Sequence, residues 1–162
     1  MASHTKHKGD HHLHINAIVT DLDDTLLNEE GKLSPYTVKI FRLAKQQGIK
    51  IIPASGRAAY SMLPYVQTLD TGLPYIACNG AQLINADHSV MATDAFSPAR
   101  AREIVHYLKQ NGFYVQCYLD DYFYFDTECD ASGSYRSSSG MHGKAVGDLE
   151  AFITFPTPKI LC

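Results

Sequence analysis

Three acidic side chains stand close together in Thr20-Asp21-Leu22-Asp23-Asp24-Thr25-Leu26-Leu27, directly after the short apolar, β-branched run Ile15–Thr20. A run of that kind reads as a buried strand, which sets the acids at its C-terminal end, where open α/β sheets bind their ligands. In an extended chain residues two apart point the same way, so Asp21 and Asp23 are expected to face one cleft while Leu22 packs away from it. Two carboxylates on one face repel unless a proton or cation compensates. A hard cation such as Mg²⁺ meets that need and also binds phosphate oxygens. A carboxylate beside it can attack phosphorus, and its neighbour can protonate the leaving oxygen and later activate water. A solvated acidic turn is the plainer reading of the same residues. A calcium loop fails, because the sixth and twelfth positions from Asp21 are Leu26 and Lys32 where Gly and Glu are needed. A nucleotide P-loop fails too, since Gly143-Lys144 lacks the upstream glycine and the following Ser or Thr.

The elements that must hold these groups alternate. Ser34 can cap a helix that Pro35 opens and Gly48 ends. Ile49–Pro53 reads as a second strand, Gly56–Leu69 as a helix interrupted near Pro64, and Pro74–Cys78 as a third strand. Strand, helix, strand, helix, strand predicts a parallel α/β sheet with right-handed crossovers. Beyond Asn79-Gly80 the texture changes. A hairpin around Ala86-Asp87-His88, an amphipathic helix over Pro98–Gln110, and aromatic strands Phe113–Leu119 and Tyr122–Asp126 follow. Ser132–Gly143 reads as loop or weak helix, and Pro158–Cys162 as the opening of another strand. The expected division is a His-rich leader at 1–14, a core lobe over 15–85 and a second lobe over 86–162, whose aromatic residues read as its own core.

Asp21-Leu22-Asp23-Asp24-Thr25-Leu26-Leu27 resembles the first motif of the haloacid dehalogenase (HAD) superfamily, D-x-D-x-T-L-L, with Asp24 where many members have Gly. Ile51-Ile52-Pro53-Ala54-Ser55-Gly56-Arg57 resembles the second motif, a Ser or Thr ending the next strand. Asn79-Gly80-Ala81 is similar to the point where the Cof-like subgroup leaves its Rossmann-like core to build an α/β cap. The resemblance covers about residues 15–162. It implies a phosphatase acting through an aspartyl-phosphate on small phosphorylated metabolites, sugar phosphates foremost. It assigns Asp21 as nucleophile, Asp23 as general acid/base, Mg²⁺ on Asp21 and the Asp23 carbonyl, and a phosphate and substrate cradle from Asp24, Ser55, Gly56, Arg57, Asn79 and Gly80. Gly56 has a physical rationale, since backbone without a side chain can approach an anion closely.

The same pattern calls for a Lys after the cap and an acidic G-D-x-x-x-D segment, and neither lies within these 162 residues; Lys144 and Lys159 fall inside the cap-like stretch. The resemblance therefore implies a truncated core, weakly held Mg²⁺ and little turnover, because losing one electrostatic stabiliser already costs about 10²–10³ in rate. A catalytically silent phosphate-binding remnant is the alternative. Ile15–Thr20 would then be an open sheet edge, which invites pairing with a second copy.

Composition narrows the partners. The formal net charge is −3 with acids and bases scattered, so no basic face for nucleic acid is expected, and no apolar run approaches the roughly 18 residues of a membrane span. Cys78, Cys117, Cys129 and Cys162 form no C-x-x-C pair, which predicts reduced thiols and a cytoplasmic setting. The His-rich leader could hold a transition metal loosely or be a passive tail.

Overall fold

The structure is a computed structural model and describes residues 14–162, so all but the last residue of the His-rich leader falls outside the described residues. Strand β1 (Ala17–Thr20) pairs parallel with β2 (Lys50–Pro53), in the register Ala17 to Lys50 and Thr20 to Pro53. Helix α1 (Pro35–Gln46) makes the crossover between them. Its start follows the sequence closely: Pro35 occupies the first turn and the Ser34 hydroxyl accepts from the Thr37 amide at 3.0 Å. Helix α2 (Ala59–Leu69) then leads to β3 (Tyr75–Ala77). It opens later than the expected Gly56, because Ala58 is still extended at φ −66°, ψ 151°.

A parallel bridge between Ala54 and Ile76 ties β2 to β3. β3 continues antiparallel into the hairpin β4 (Gln82–Ile84) and β5 (Val90–Thr93). This corrects the division at residues 85 and 86, which runs through the hairpin. Both of its strands stay on the first lobe's sheet, and the chain leaves for the second lobe after Thr93.

The second lobe is a four-stranded sheet in the order β8-β7-β6-β9. Its strands are β6 (Gln116–Leu119), β7 (Tyr122–Phe125), β8 (His142–Ala145) and β9 (Ile160–Leu161). Helix α3 (Pro98–Gln110) and the short α5 (Leu149–Phe152) pack on it through Ala101, Val105, Leu149 and Ile153. The Ser/Gly-rich stretch forms a full helix, α4 (Asp130–Ser139). Parallel strands need a crossover, and α4 provides the one between β7 and β8, which pair in parallel. Ser132 steadies its first turn by accepting from the Cys129 amide at 3.0 Å, and Gly140 ends it at φ 69°.

Among the described residues three apolar clusters hold the fold. One lies in the first lobe around Leu22, Met62 and Tyr75, and one in the second around Val105 and Leu149. The third joins the lobes: Ala58 and Cys78 pack with Tyr118, Phe123, Phe125 and Met141. Among the described residues no helix is long and apolar enough to cross a membrane.

β1 pairs with β2 alone among the described strands, and Val19 is 59% exposed. Among the described residues the strand is therefore an open edge, which the truncated-core reading expects, and not the buried strand that composition alone predicts. Such an edge offers unpaired backbone groups to a second chain. The chain of these residues should self-associate with rising concentration, and Val19→Lys should suppress that in sedimentation velocity; identical profiles for the two proteins would refute the edge as the contact.

Candidate active site

The parallel register of β1 and β2 brings both C-terminal ends to the same side of the sheet, so Asp21 emerges beside Ala54-Ser55-Gly56. The loops there are laced by main-chain hydrogen bonds. Ala54 N donates to Thr20 O at 2.8 Å, Ser55 N to Ile76 O at 3.0 Å, Asn79 N to Ser55 O at 3.1 Å and Cys78 N to Arg57 O at 2.8 Å. A cleft of about 400 Å³ lies between them, lined by Thr20, Asp21, Ser55, Gly56, Asn79 and Gly80 among others. Asp21 is exposed within it and Ser55 is buried. The Asp21 carboxylate accepts from the Leu22 amide at 2.7 Å, and the Ser55 hydroxyl accepts from the Arg57 amide at 3.2 Å.

Leu22 is wholly buried, and its carbonyl receives the amides of Leu26 and Leu27, both at 2.9 Å. The chain therefore turns immediately after Asp21. That corrects the expectation that Asp21 and Asp23 share one cleft through extended alternation, since the turn sends Asp23 into a second cleft. This one holds about 420 Å³ and is lined by Asp23, Arg57, Ser61, Tyr135, Ser138 and Lys159 among others; it adjoins the first through Gly56 and Asn79. Asp24 lines neither cleft. It is exposed and adopts φ 53° at the turn, a left-handed conformation that Gly takes freely and Asp tolerates better than most residues. Its place in the expected cradle is thus one of shaping the turn.

Cys78 and Asn79 are also left-handed, at φ 53° and 56°, and this double twist lays the Asn79 side chain against Gly56. A Cβ at position 56 would fall 2.7 Å from Asn79 Oδ1, so only glycine fits without moving Asn79. Gly80 lines the first cleft beside it.

Arg57 is committed to Asp23 in a two-point contact, Nε to Oδ2 and Nη2 to Oδ1, each 2.8 Å, with its guanidinium 5.1 Å from the Tyr65 ring centroid. The hydrogen bond from Arg57 holds the Asp23 carboxyl below its ordinary range, against a smaller opposing effect of burial. Asp23 is thereby kept ionised and, while the clasp stands, ill suited to donate a proton.

Lys159 enters from the far lobe. Its ammonium donates to the Gly56 carbonyl at 2.7 Å and sits 5.2 Å from the Tyr118 ring centroid. Burial depresses its pKa, and Arg57 adds to the effect. Nothing local in Pro158-Lys159-Ile160-Leu161 signals this role, because the contact spans 103 positions. Tyr135, Ser138 and Ser139 of the second cleft escaped sequence reading for the same reason: they lie on a helix whose placement depends on the lobe contact.

Mg²⁺ requires near-octahedral oxygen coordination. Among the described residues no group of three or more His, Cys, Asp or Glu side chains converges on a possible metal position. The resemblance asks for the Asp21 carboxylate and the Asp23 main-chain carbonyl, two donors, and the Asp23 carboxylate adds no third while both of its oxygens are engaged by Arg57. These residues by themselves do not fit the ion.

The family model for haloacid dehalogenase-like hydrolases matches residues 18–153. The pyridoxal phosphate phosphatase YbhA of Escherichia coli (strain K12) is 29% identical over 105 residues, 64% of this chain and 39% of that protein. The 5-amino-6-(5-phospho-D-ribitylamino)uracil phosphatase YwtE of Bacillus subtilis (strain 168) is 28% identical over 108 residues, 67% of this chain and 37% of that protein. Among solved structures, a haloacid dehalogenase-like hydrolase from Bacteroides thetaiotaomicron superposes with a TM-score of 0.79 at 22% identity, covering 91% of this chain and 57% of that one. A protein from Thermotoga maritima does so with 0.75 at 26% identity, covering 91% and 55%. The chain thus spans under two fifths of those two curated relatives.

Arg57→Ala should raise the Asp23 pKa toward the ordinary carboxylate value, read by NMR titration of the side-chain carboxyl; an unmoved value would show that the clasp does not form in solution. The sign for stability follows. Asp23 has a depressed folded pKa, so the clasp's contribution is fully present above the unfolded carboxylate value and is lost as pH falls through the lowered folded one.

Proposed function

The chain belongs to the haloacid dehalogenase-like hydrolase family, and from that premise we propose that it carries the phosphoryl-accepting half of a phosphatase for small phosphorylated metabolites, with Asp21 as the nucleophile. The observation that carries this reading is the first cleft: an accessible carboxylate at one strand end faces a buried hydroxyl and a side-chain-free backbone at the next.

In this mechanism a phosphomonoester lies with its phosphoryl group against Ser55 and Gly56. An Asp21 carboxylate oxygen attacks phosphorus, the phosphorus–oxygen bond to the alcohol breaks, and the departing oxygen takes a proton from Asp23. The acyl phosphate is then cleaved by water: Asp23 accepts the water proton, phosphate leaves, and the Asp21 carboxylate is restored. The Arg57 clasp keeps Asp23 ionised, the form the second half needs, but it occupies both carboxylate oxygens, so Arg57 must release one before Asp23 takes the water proton. For the first half Arg57 must withdraw so that Asp23 can carry a proton. Sugar phosphates fit a cleft of this size with several hydroxyl and amide groups on its walls. The two curated relatives carry phosphatase names for chemically different substrates, which supports the reaction class more than any one substrate.

With p-nitrophenyl phosphate, acid-quenched protein should show phosphorylation at Asp21 by mass spectrometry, and Asp21→Asn should abolish it. Label that persists in Asp21→Asn would remove Asp21 as nucleophile, and its absence from the parent would favour a phosphate-binding domain without chemistry.

The poor fit of the donor set carries its own expectation. Calorimetric titration of this chain with Mg²⁺ alone should show binding weaker than about 1 mM, below the range of well-built carboxylate sites. Saturation at micromolar Mg²⁺ would mean that ligands other than Asp21 and Asp23 reach the ion.

A further inference from the structure

The second cleft holds a charge that the phosphatase chemistry leaves unused. Of its three side chains charged at neutral pH, Asp23 and Arg57 satisfy each other, and Lys159 remains. Among the described residues Lys159 forms no salt bridge, and its ammonium makes one hydrogen bond, to the Gly56 carbonyl. An ammonium has three donors, so two stay open in a cleft of about 420 Å³. The Tyr118 ring face on one side is attractive to a cation but accepts no conventional hydrogen bond. Helix α4 brings its C-terminal end to the same cleft through Ser138 and Ser139, and a helix C-terminus disfavours anions. That effect is blunted here, because Ser139 and Ser138 both donate to the Tyr135 carbonyl, at 2.7 and 3.2 Å, and Gly140 N donates to the Arg136 carbonyl at 3.2 Å.

From this surplus cation we infer that the cleft receives the leaving portion of the substrate and that Lys159 reads a second anionic group on it, a carboxylate or a further phosphate. The inference rests on the phosphatase reading for the position of the transferred phosphoryl group in the first cleft. Since the clefts meet at Gly56 and Asn79, a substrate of a few carbons reaches from one to the other. Lys159 is a specificity-determining residue in this arrangement. Burial disfavours its charged form while no anion is present, and a bound anion offsets that cost.

The test uses binding, so that it does not depend on turnover. In Asp21→Asn protein, calorimetry compares 3-phosphoglycerate, which carries a carboxylate, with glycerol 3-phosphate, which carries a hydroxyl there. 3-Phosphoglycerate should bind about tenfold more tightly, the scale of a charge-assisted hydrogen bond. Adding Lys159→Met should erase the preference, and adding Lys159→Arg should keep part of it; matching thermal melts establish that each variant is folded, and Lys159→Gln replaces Lys159→Met if the latter is not. A preference that is absent, or that survives Lys159→Met, overturns the inference. Equal weakening of both ligands also overturns it, because Lys159 would then be reading the phosphoryl group they share. Binding of neither ligand counts against this inference and the phosphatase reading together. A Lys159-dependent preference in a protein that never phosphorylates Asp21 sinks the phosphatase reading alone.

Discussion

The pairing of β1 with β2 is the constraint from which the candidate site follows. Two parallel strands in register end on the same side of their sheet, and whatever follows each strand meets there. Thr20 lies opposite Pro53, so the residues after them, Asp21 on one strand and Ala54-Ser55-Gly56 on the other, are neighbours whatever the intervening helix does. The hydrogen bond from Ala54 N to Thr20 O continues the pairing one step into the loops. A slip of one residue would turn the Ser55 hydroxyl toward the opposite face. The buried anchors Leu22 and Ile51 resist that slip, since both would have to leave the core.

Around this frame the charges are arranged in two compartments. Asp21 stands alone at the first cleft, accessible and bonded to the next amide. Asp23 is turned away and neutralised by Arg57, and Lys159 arrives from the other lobe beside them. The turn anchored by Leu22 sends the two carboxylates to different, adjoining clefts. It also places Asp23 where only movement of Arg57 can free it. The lobe contact through Cys78, Ala58, Tyr118 and Met141 sets the distance between Lys159 and Gly56, so packing between lobes and charge in the second cleft are coupled.

Much of the first lobe was legible residue by residue. Ser34 and Pro35 marked the start of α1 where it begins, and the acidic cluster following a β-branched run marked the strand end that carries Asp21. Pro98 and Asn111 bracketed α3 correctly. What failed did so for stated reasons. The alternation argument for Asp21 and Asp23 assumed an extended chain, but burial of Leu22 and two amides on its carbonyl bend it. The division between lobes was drawn inside a hairpin, because turn residues announce a hairpin without saying which sheet it joins. Ser132–Gly143, expected as loop or weak helix, divides instead between α4, which spans the crossover between parallel β7 and β8, and the start of β8 itself.

By itself the sequence determined local matters: the starts of α1 and α3, which carboxylate follows the first strand, and which hydroxyl and glycine follow the second. Those depend on neighbours a few positions apart, and side-chain chemistry encodes them directly. Only the tertiary structure decided the pairings across long separations, such as Arg57 with Asp23 over 34 positions and Lys159 with Gly56 over 103. The first follows from the parallel pairing of β1 with β2, and the second from the way the lobes bury Tyr118, Phe123 and Cys78 against one another. That is a property of the packed whole, and no window of residues along the chain contains it.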